Sequence, residues 1–316
     1  MALKRSRSRS FSMSAMPEYN AEVVTNKPKN ESTPYMDSFG TDLAQINVDQ
    51  GNRMKIFHVY KKKLCDKIPH FNQLFEGNHD PFVELPDISP STFDVLVEWV
   101  YTDCLRGIEI VKASDSDHKS SSISWNPVEL CILAERLLLT GLMDRVMEVV
   151  RKLDRSEDVY YNHKTLKLIY MRTFLGSNIR QYVTQNAAYA VRNFDKSSSL
   201  STTHLLYVME EHTDFAHDYL DITRTGNLED PREGPGCQFH VHREHEECPV
   251  PKYMDDGKIT IREYENGLEK TKPSPKKPRL PPGSQRKMQP NKELILALDQ
   301  NSDYSTATRQ SGSSSC

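Results

Sequence analysis

The distribution of proline is the tightest constraint on what this chain can build. Three of its 18 prolines lie in residues 1–41, five in 42–225 and ten in 226–316, with none between 128 and 225. Proline removes a backbone donor and breaks helix interiors. Long regular elements therefore belong in the middle of the chain. A mean hydropathy of -0.66 and 37% hydrophobic residues are too polar for one body of 316 residues, which could bury a large core. The pattern predicts a folded middle between a disordered basic, Ser-rich arm, residues 1–37, and a mostly disordered tail, residues 226–316, that carries a Cys/His cluster at 237–248.

Several classes drop out on the same grounds. The longest apolar candidate, Leu130–Met143, is cut by Glu135 and Arg136 and falls short of the roughly 18 residues of a membrane span. The basic start (Lys4, Arg5, Arg7, Arg9) is followed by no apolar stretch of a secretory signal. Six scattered cysteines (65, 104, 131, 237, 248, 316) do not form a disulfide framework and fit a reducing compartment. A net charge of -3 gives no global pull toward nucleic acid or membrane. Neither is expected as a partner, and nucleus or cytosol is the expected location.

Order is expected from Asp42. Leu43 to Val48 and Met54 to Val59 read as strands of a hairpin about the turn residues Asp49-Gln50-Gly51-Asn52. Leu64, Ile68, Phe71 and Phe75 keep a helical period that Pro69 divides into two short helices. Phe82-Val83-Glu84-Leu85 reads as a short strand. Ser89-Pro90 is a cap followed by proline at the first helical position, opening a helix with Phe93, Leu96, Val97, Val100 and Tyr101 on one face. An extended piece (Leu105 to Val111) and a polar loop (Ser114 to Ser124) lead to Asn126-Pro127-Val128-Glu129, close to a capping box. Two helices parted near Thr140-Gly141 follow, and residues 165–224 continue as helices. The middle is thus an α+β body.

Four segments in this order resemble BTB/POZ domains, especially the fungal kind. They are Phe57-His58-Val59-Tyr60-Lys61 with Leu64-Cys65 and Ile68-Pro69-His70-Phe71; Leu85-Pro86-Asp87-Ile88-Ser89-Pro90; Phe93 through Trp99-Val100-Tyr101-Thr102; and Ile132-Leu133-Ala134-Glu135-Arg136 with Leu142-Met143-Asp144. The resemblance covers about residues 38–153. It implies a small β-sheet flanked by helices in 38–155, with 156–225 as a helical extension. It also implies protein association, as a homodimer or with a partner such as a cullin scaffold, in a ubiquitin-ligase adaptor or a nuclear regulatory scaffold. Tyr60 departs from the family's usual histidine. Many members carry an aromatic-x-acid step in a longer loop that contributes to cullin binding. Phe82 and Glu84 match that step by pattern, although the triplet also reads as the strand into Leu85-Pro86.

The body offers no Gly-rich phosphate loop and no Ser/His/Asp or Cys/His nucleophile arrangement, so no enzyme is expected from it. Cys65 and Cys131 sit on apolar helical stripes as packed thiols. One cluster stands apart: Cys237, His240, His242, His245 and Cys248, spaced C-x2-H-x-H-x2-H-x2-C. Two thiolates with two of the three imidazoles would close a structural zinc site. His240 and His242 share one side of an extended segment, and Lys258-Ile259-Thr260-Ile261 is a strand such a site would pin. A solvated surface loop, a Cys237–Cys248 disulfide and a metal-dependent catalytic centre are the alternatives for the same residues. Farther on, Pro275-Lys276-Lys277-Pro278-Arg279 resembles a nuclear-import signal beside Ser274, a candidate phosphosite. Glu293 to Leu298 could form a brief helix for a partner groove.

Overall fold

The protein is described by a computed structural model that covers residues 39–76, 82–114, 119–193, 200–225, 228–242, 246–248, 250–253, 256–265 and 268–269. The basic arm, His245, the import-type run and residues 293–298 lie outside them. The first element pair follows from alternation. In β1 (Leu43–Val48) Ala44, Ile46 and Val48 point inward. In β2 (Lys55–Tyr60) Phe57 and Val59 do the same. The antiparallel register sets Ala44 opposite Val59 and Ile46 opposite Phe57, so one face of the hairpin is wholly apolar. Asp49 and Gly51 take the positive φ angles that the turn demands (68° and 58°).

Pro69 divides the next helical stretch into α1 (Lys61–Lys67) and α2 (His70–Glu76). The crossover returns the chain as β3 (Phe82–Leu85), which pairs parallel to β1 and completes a sheet of order β2-β1-β3. Helix α3 (Pro90–Thr102) starts where Ser89 accepts the Thr92 amide. Asn126 caps α4 (Pro127–Arg136) by accepting the Val128 and Glu129 amides. Glu129 is itself buried and reaches back to the α3 cap, accepting from the Ser89 amide (2.8 Å), Ser89 Oγ (2.6 Å) and Thr92 Oγ1 (2.7 Å). The two helix starts are therefore locked together by one carboxylate.

The chain turns at Leu137–Leu139 into α5 (Thr140–Glu157), with Leu138 exposed at φ 57°. Helices α6 (His163–Arg172), α7 (Asn178–Asn193), α8 (Thr202–Glu211) and α9 (Thr213–Arg224) follow as the helical extension. They share one hydrophobic core with the first 150 residues, running from Ala44 to Phe239.

Two features differ from the sequence reading. The polar loop expected at Ser114–Ser124 contains a strand, β5 (Lys119–Ile123), paired antiparallel with β4 (Ile108–Ser114). Its serines gave no apolar alternation, and the backbone ladder alone makes it a strand. The second feature is the return of the described residues between 228 and 265, a stretch expected in the polar tail, to the body. Their strand β6 (Ile259–Glu265) pairs parallel to β4 from Ile108↔Ile259 to Ser114↔Glu265, and β7 (Leu268–Glu269) follows it. The second sheet is ordered β5-β4-β6-β7. Among the described residues, no helix is long and apolar enough to cross a membrane.

Candidate functional site

Two places collect the residues that sequence reasoning singled out. The first is the outer face of the β2-β1-β3 sheet. Glu84 lies in β3 opposite Asn47, and Phe82 holds the register position opposite Gln45. The aromatic-x-acid step is thus carried on a strand. Glu84 is exposed on the same face as Ile56, which is paired with Asn47 from the other side. Gln45 and His58 form the next pair on that face and Leu43 and Tyr60 the one beyond it, with Tyr60 edge-on against Phe39 at 5.5 Å. Tyr60 therefore presents an aromatic ring at the surface, beside the Tyr101 hydroxyl that accepts the Tyr60 amide.

The second place is the Cys/His cluster. A short 3-10 turn, Gly236–Phe239, carries Cys237 and is closed by the His240 amide donating to the Cys237 carbonyl. Phe239 anchors that turn in the core, its ring edge-on to Tyr182 at 5.1 Å. Anchoring leaves His240 buried and brings its Nδ1 to 3.3 Å from His242 Nε2 and 3.5 Å from Cys248 Sγ. Cys237, His240, His242 and Cys248 offer four ligand atoms within 4.8 Å of one another. His245 lies outside the described residues. Cys237 and Cys248 are free thiols. Burial, the Cys237 sulfur that shares a hydrogen bond with it, and the nearby Asp144 carboxylate push the Cys248 thiol up, against one amide hydrogen bond from Val250.

Sequence reasoning missed the residues that support this cluster, because they sit on α5, nearly a hundred positions earlier. Glu148 Oε1 lies 3.1 Å from His240 Nε2 and 2.7 Å from an Arg151 nitrogen. Burial opposes ionisation of Glu148, but the His240 and Arg151 contacts outweigh it and hold its carboxyl below the ordinary range. Asp144 Oδ1 accepts the Val241 amide at 2.5 Å. A Cβ at Gly236 would fall 1.6 Å from Glu148 Oε1 and 2.2 Å from an Arg151 nitrogen, so a side chain there would displace this carboxylate–guanidinium pair. Cys65 and Cys131 are buried in the core, and burial pushes the Cys131 thiol far up, which leaves it unreactive.

Comparison with known proteins bears on the body. Residues 44–151 match the family model for the BTB/POZ domain. That interval, about a third of the chain, runs from β1 into α5 and takes in both small sheets' first strands with their flanking helices. No curated protein and no solved structure matches the chain. The α+β body of small sheets flanked by helices is the arrangement this BTB/POZ match leads one to expect. BTB/POZ domains are protein-interaction modules, so protein association is the function the match supports.

Proposed function

We propose that this protein acts as a BTB/POZ-type interaction module, of the fungal kind, that docks a protein partner through the outer face of its first sheet. The observation that carries the reading is the clustering of exposed apolar side chains within the matched interval. Leu43, Met54 and Ile56 are each nearly half exposed, and Tyr60 is 37% exposed, all on one hairpin. Single exposed apolar residues are ordinary, whereas four on one hairpin, with the Gln45–His58 pair between the two ends, support a mixed apolar and polar interaction surface.

Basic residues are dense in the sequence around this hairpin, with Arg53 and Lys55 at the start of β2 and Lys61, Lys62 and Lys63 directly after it. That local excess of positive charge supports an acidic partner over a second copy of the chain. Self-association is the second reading, supported by the position of β2 as the outer strand of its sheet, where an isologous strand pairing could form. An adaptor role toward a cullin-type ligase, with Phe82 and Glu84 in the contact, and a nuclear scaffold role are the two forms we propose for heterotypic docking. The 275–279 run would supply nuclear entry.

Light scattering on the full chain, together with capture of a purified cullin scaffold, tests the proposal. Ile56→Glu changes an exposed position and should leave the melting temperature within about 2 °C, while abolishing the dimer or the captured complex. A chain that stays monomeric and captures no cullin, or that associates equally well with Ile56→Glu, overturns it.

A further inference from the structure

We propose that Cys237, His240, His242 and Cys248 bind one structural zinc ion, and that this ion locks the strap of residues 228–265 across α5. Three independent observations converge on it. The donor set is the first, since two thiols and two imidazoles are what tetrahedral zinc takes in closed sites. The spacing of the donors is the second. A tetrahedron with Zn–N of about 2.0–2.1 Å and Zn–S of about 2.3 Å has edges of about 3.3 Å between nitrogens and about 3.6 Å between nitrogen and sulfur. The corresponding separations in the protein are 3.3 Å for His240 Nδ1 to His242 Nε2 and 3.5 Å for His240 Nδ1 to Cys248 Sγ. Both match the separation of two ligands of one ion, and the nitrogen–nitrogen contact is long for a hydrogen bond.

The third observation is the support behind the donors. His240 turns Nε2 to the Glu148 carboxylate, which fixes the tautomer with its Nδ1 lone pair toward the other three donors. Arg151 holds that carboxylate in turn, and the Val250 amide donates to Cys248 Sγ. A solvated loop of histidines has no reason to bury one of them against a carboxylate-arginine pair. A disulfide would use the two sulfurs and leave that arrangement without purpose. Four protein donors also fill a tetrahedral site, leaving no position for a substrate or an activated water, so the ion is structural and not catalytic.

The place of the site gives the ion its role. On one side of it, Arg151 donates to the Pro231, Glu233 and Gly234 carbonyls. On the other, Asp256 pairs with Arg145 Nε at 2.6 Å and accepts the Leu105 amide at 3.1 Å, directly before β6 joins β4. The ion would close the excursion between residues 237 and 248, and so keep both halves of the strap in register on α5. It would thereby fix β6 as an added strand on the second sheet.

The test uses the full chain, purified without a histidine tag and kept reduced. Elemental analysis should give one zinc per chain. Cobalt substituted into the freshly stripped chain should show tetrahedral visible bands with a thiolate charge-transfer band. Cys237→Ser with Cys248→Ser should abolish both signals, whereas His245→Ala should retain them. Glu148→Gln should weaken the metal 10-fold or more. Hydrogen exchange supplies a readout of the lock: stripping the ion should speed exchange of the 256–265 amides while α4 stays protected. Absence of zinc together with failure to take up cobalt overturns the proposal. So does metal retained by the double serine variant, loss of metal in His245→Ala, or a Cys237–Cys248 disulfide in the reduced preparation. Unchanged exchange of 256–265 on stripping overturns the locking role.

Discussion

Asp154 gives the sharpest test of the physical reasoning about α5. Its carboxyl is fully buried and accepts hydrogen bonds from the Tyr161 hydroxyl at 2.6 Å and the Tyr182 hydroxyl at 2.8 Å, both on Oδ2. Burial dominates and pushes its pKa from 3.8 up to about 7, against the two tyrosine hydrogen bonds and the Arg232 charge, while Asp230 adds to the rise. The folded state therefore keeps a proton that the unfolded chain has already released. Stability from this group is complete below the unfolded value and is lost as pH rises through the folded one. Over the full range the loss is about 4 kcal/mol, of which about 2–3 kcal/mol falls between pH 5 and 8. Asp154→Asn keeps the shape and an acceptor for the tyrosines but cannot ionise. Chemical denaturation of both proteins at several pH values between 5 and 8 isolates the effect, because every other titrating group cancels in the difference. The variant should gain about 2–3 kcal/mol on the wild type across that window. Parallel curves would refute the assignment of a neutral Asp154 at low pH.

The other predictions concern the strap and the helix caps. Gly257 has φ 60°, and a Cβ there would lie 2.4 Å from a Val149 methyl, so Gly257→Ala should weaken strap docking by about 1–3 kcal/mol and speed amide exchange across 256–265. Unaltered exchange would show that the strap does not depend on this approach. Glu129→Ala orphans the Ser89 and Thr92 hydroxyls and the Ser89 amide, and should cost about 2–4 kcal/mol in urea denaturation. Glu129→Gln, which keeps an acceptor, should recover part of it, and equal losses in the two variants would contradict the capping account. Asn126→Ala should cost about 1 kcal/mol by the same measurement, since it removes one N-cap.

What the sequence made legible was local. Alternation placed β1 and β2, Pro69 parted α1 from α2, and the residues around Pro90 and Pro127 marked two helix starts. Each of those signals lies within a few residues of the element it predicts. β5 was hidden because serine carries no facial preference, and its pairing with Val111 to Ala113 depends on another strand. The strap was hidden for a related reason. Its attachment rests on partners far away in sequence, such as Arg145 to Asp256, 111 positions apart, and on backbone carbonyls that Arg151 binds whatever side chains the strap carries. The cysteines and histidines of the cluster could be read from spacing. The choice of His240 and His242 depends on Phe239 entering the core and on Glu148, which no local pattern reveals.

The chemistry of the covered face of α5 bears on whether the strap is permanent. Asp144, Arg145 and Arg151 are all buried there, an unusual concentration of charge for a helix interior. Each is matched by the strap: Asp144 by the Val241 amide, Arg145 by Asp256, Arg151 by three carbonyls. Burying charge brings little net stability even when it is paired, because desolvation offsets most of the attraction. If the strap lifts, the same groups return to water at little loss, and the apolar packing given up includes that of Phe239, Val149 and Ile259. A face built from Leu and Ile would have made detachment expensive and the uncovered helix prone to aggregate. The free energy holding the strap must then come in large part from elsewhere: from the burial of Phe239, from Arg232 against Asp158 and Tyr160, and from the β4–β6 ladder, to which the proposed ion would add. Of these, only the proposed ion could be removed without altering the chain, so stripping it is the perturbation that separates its share from the rest.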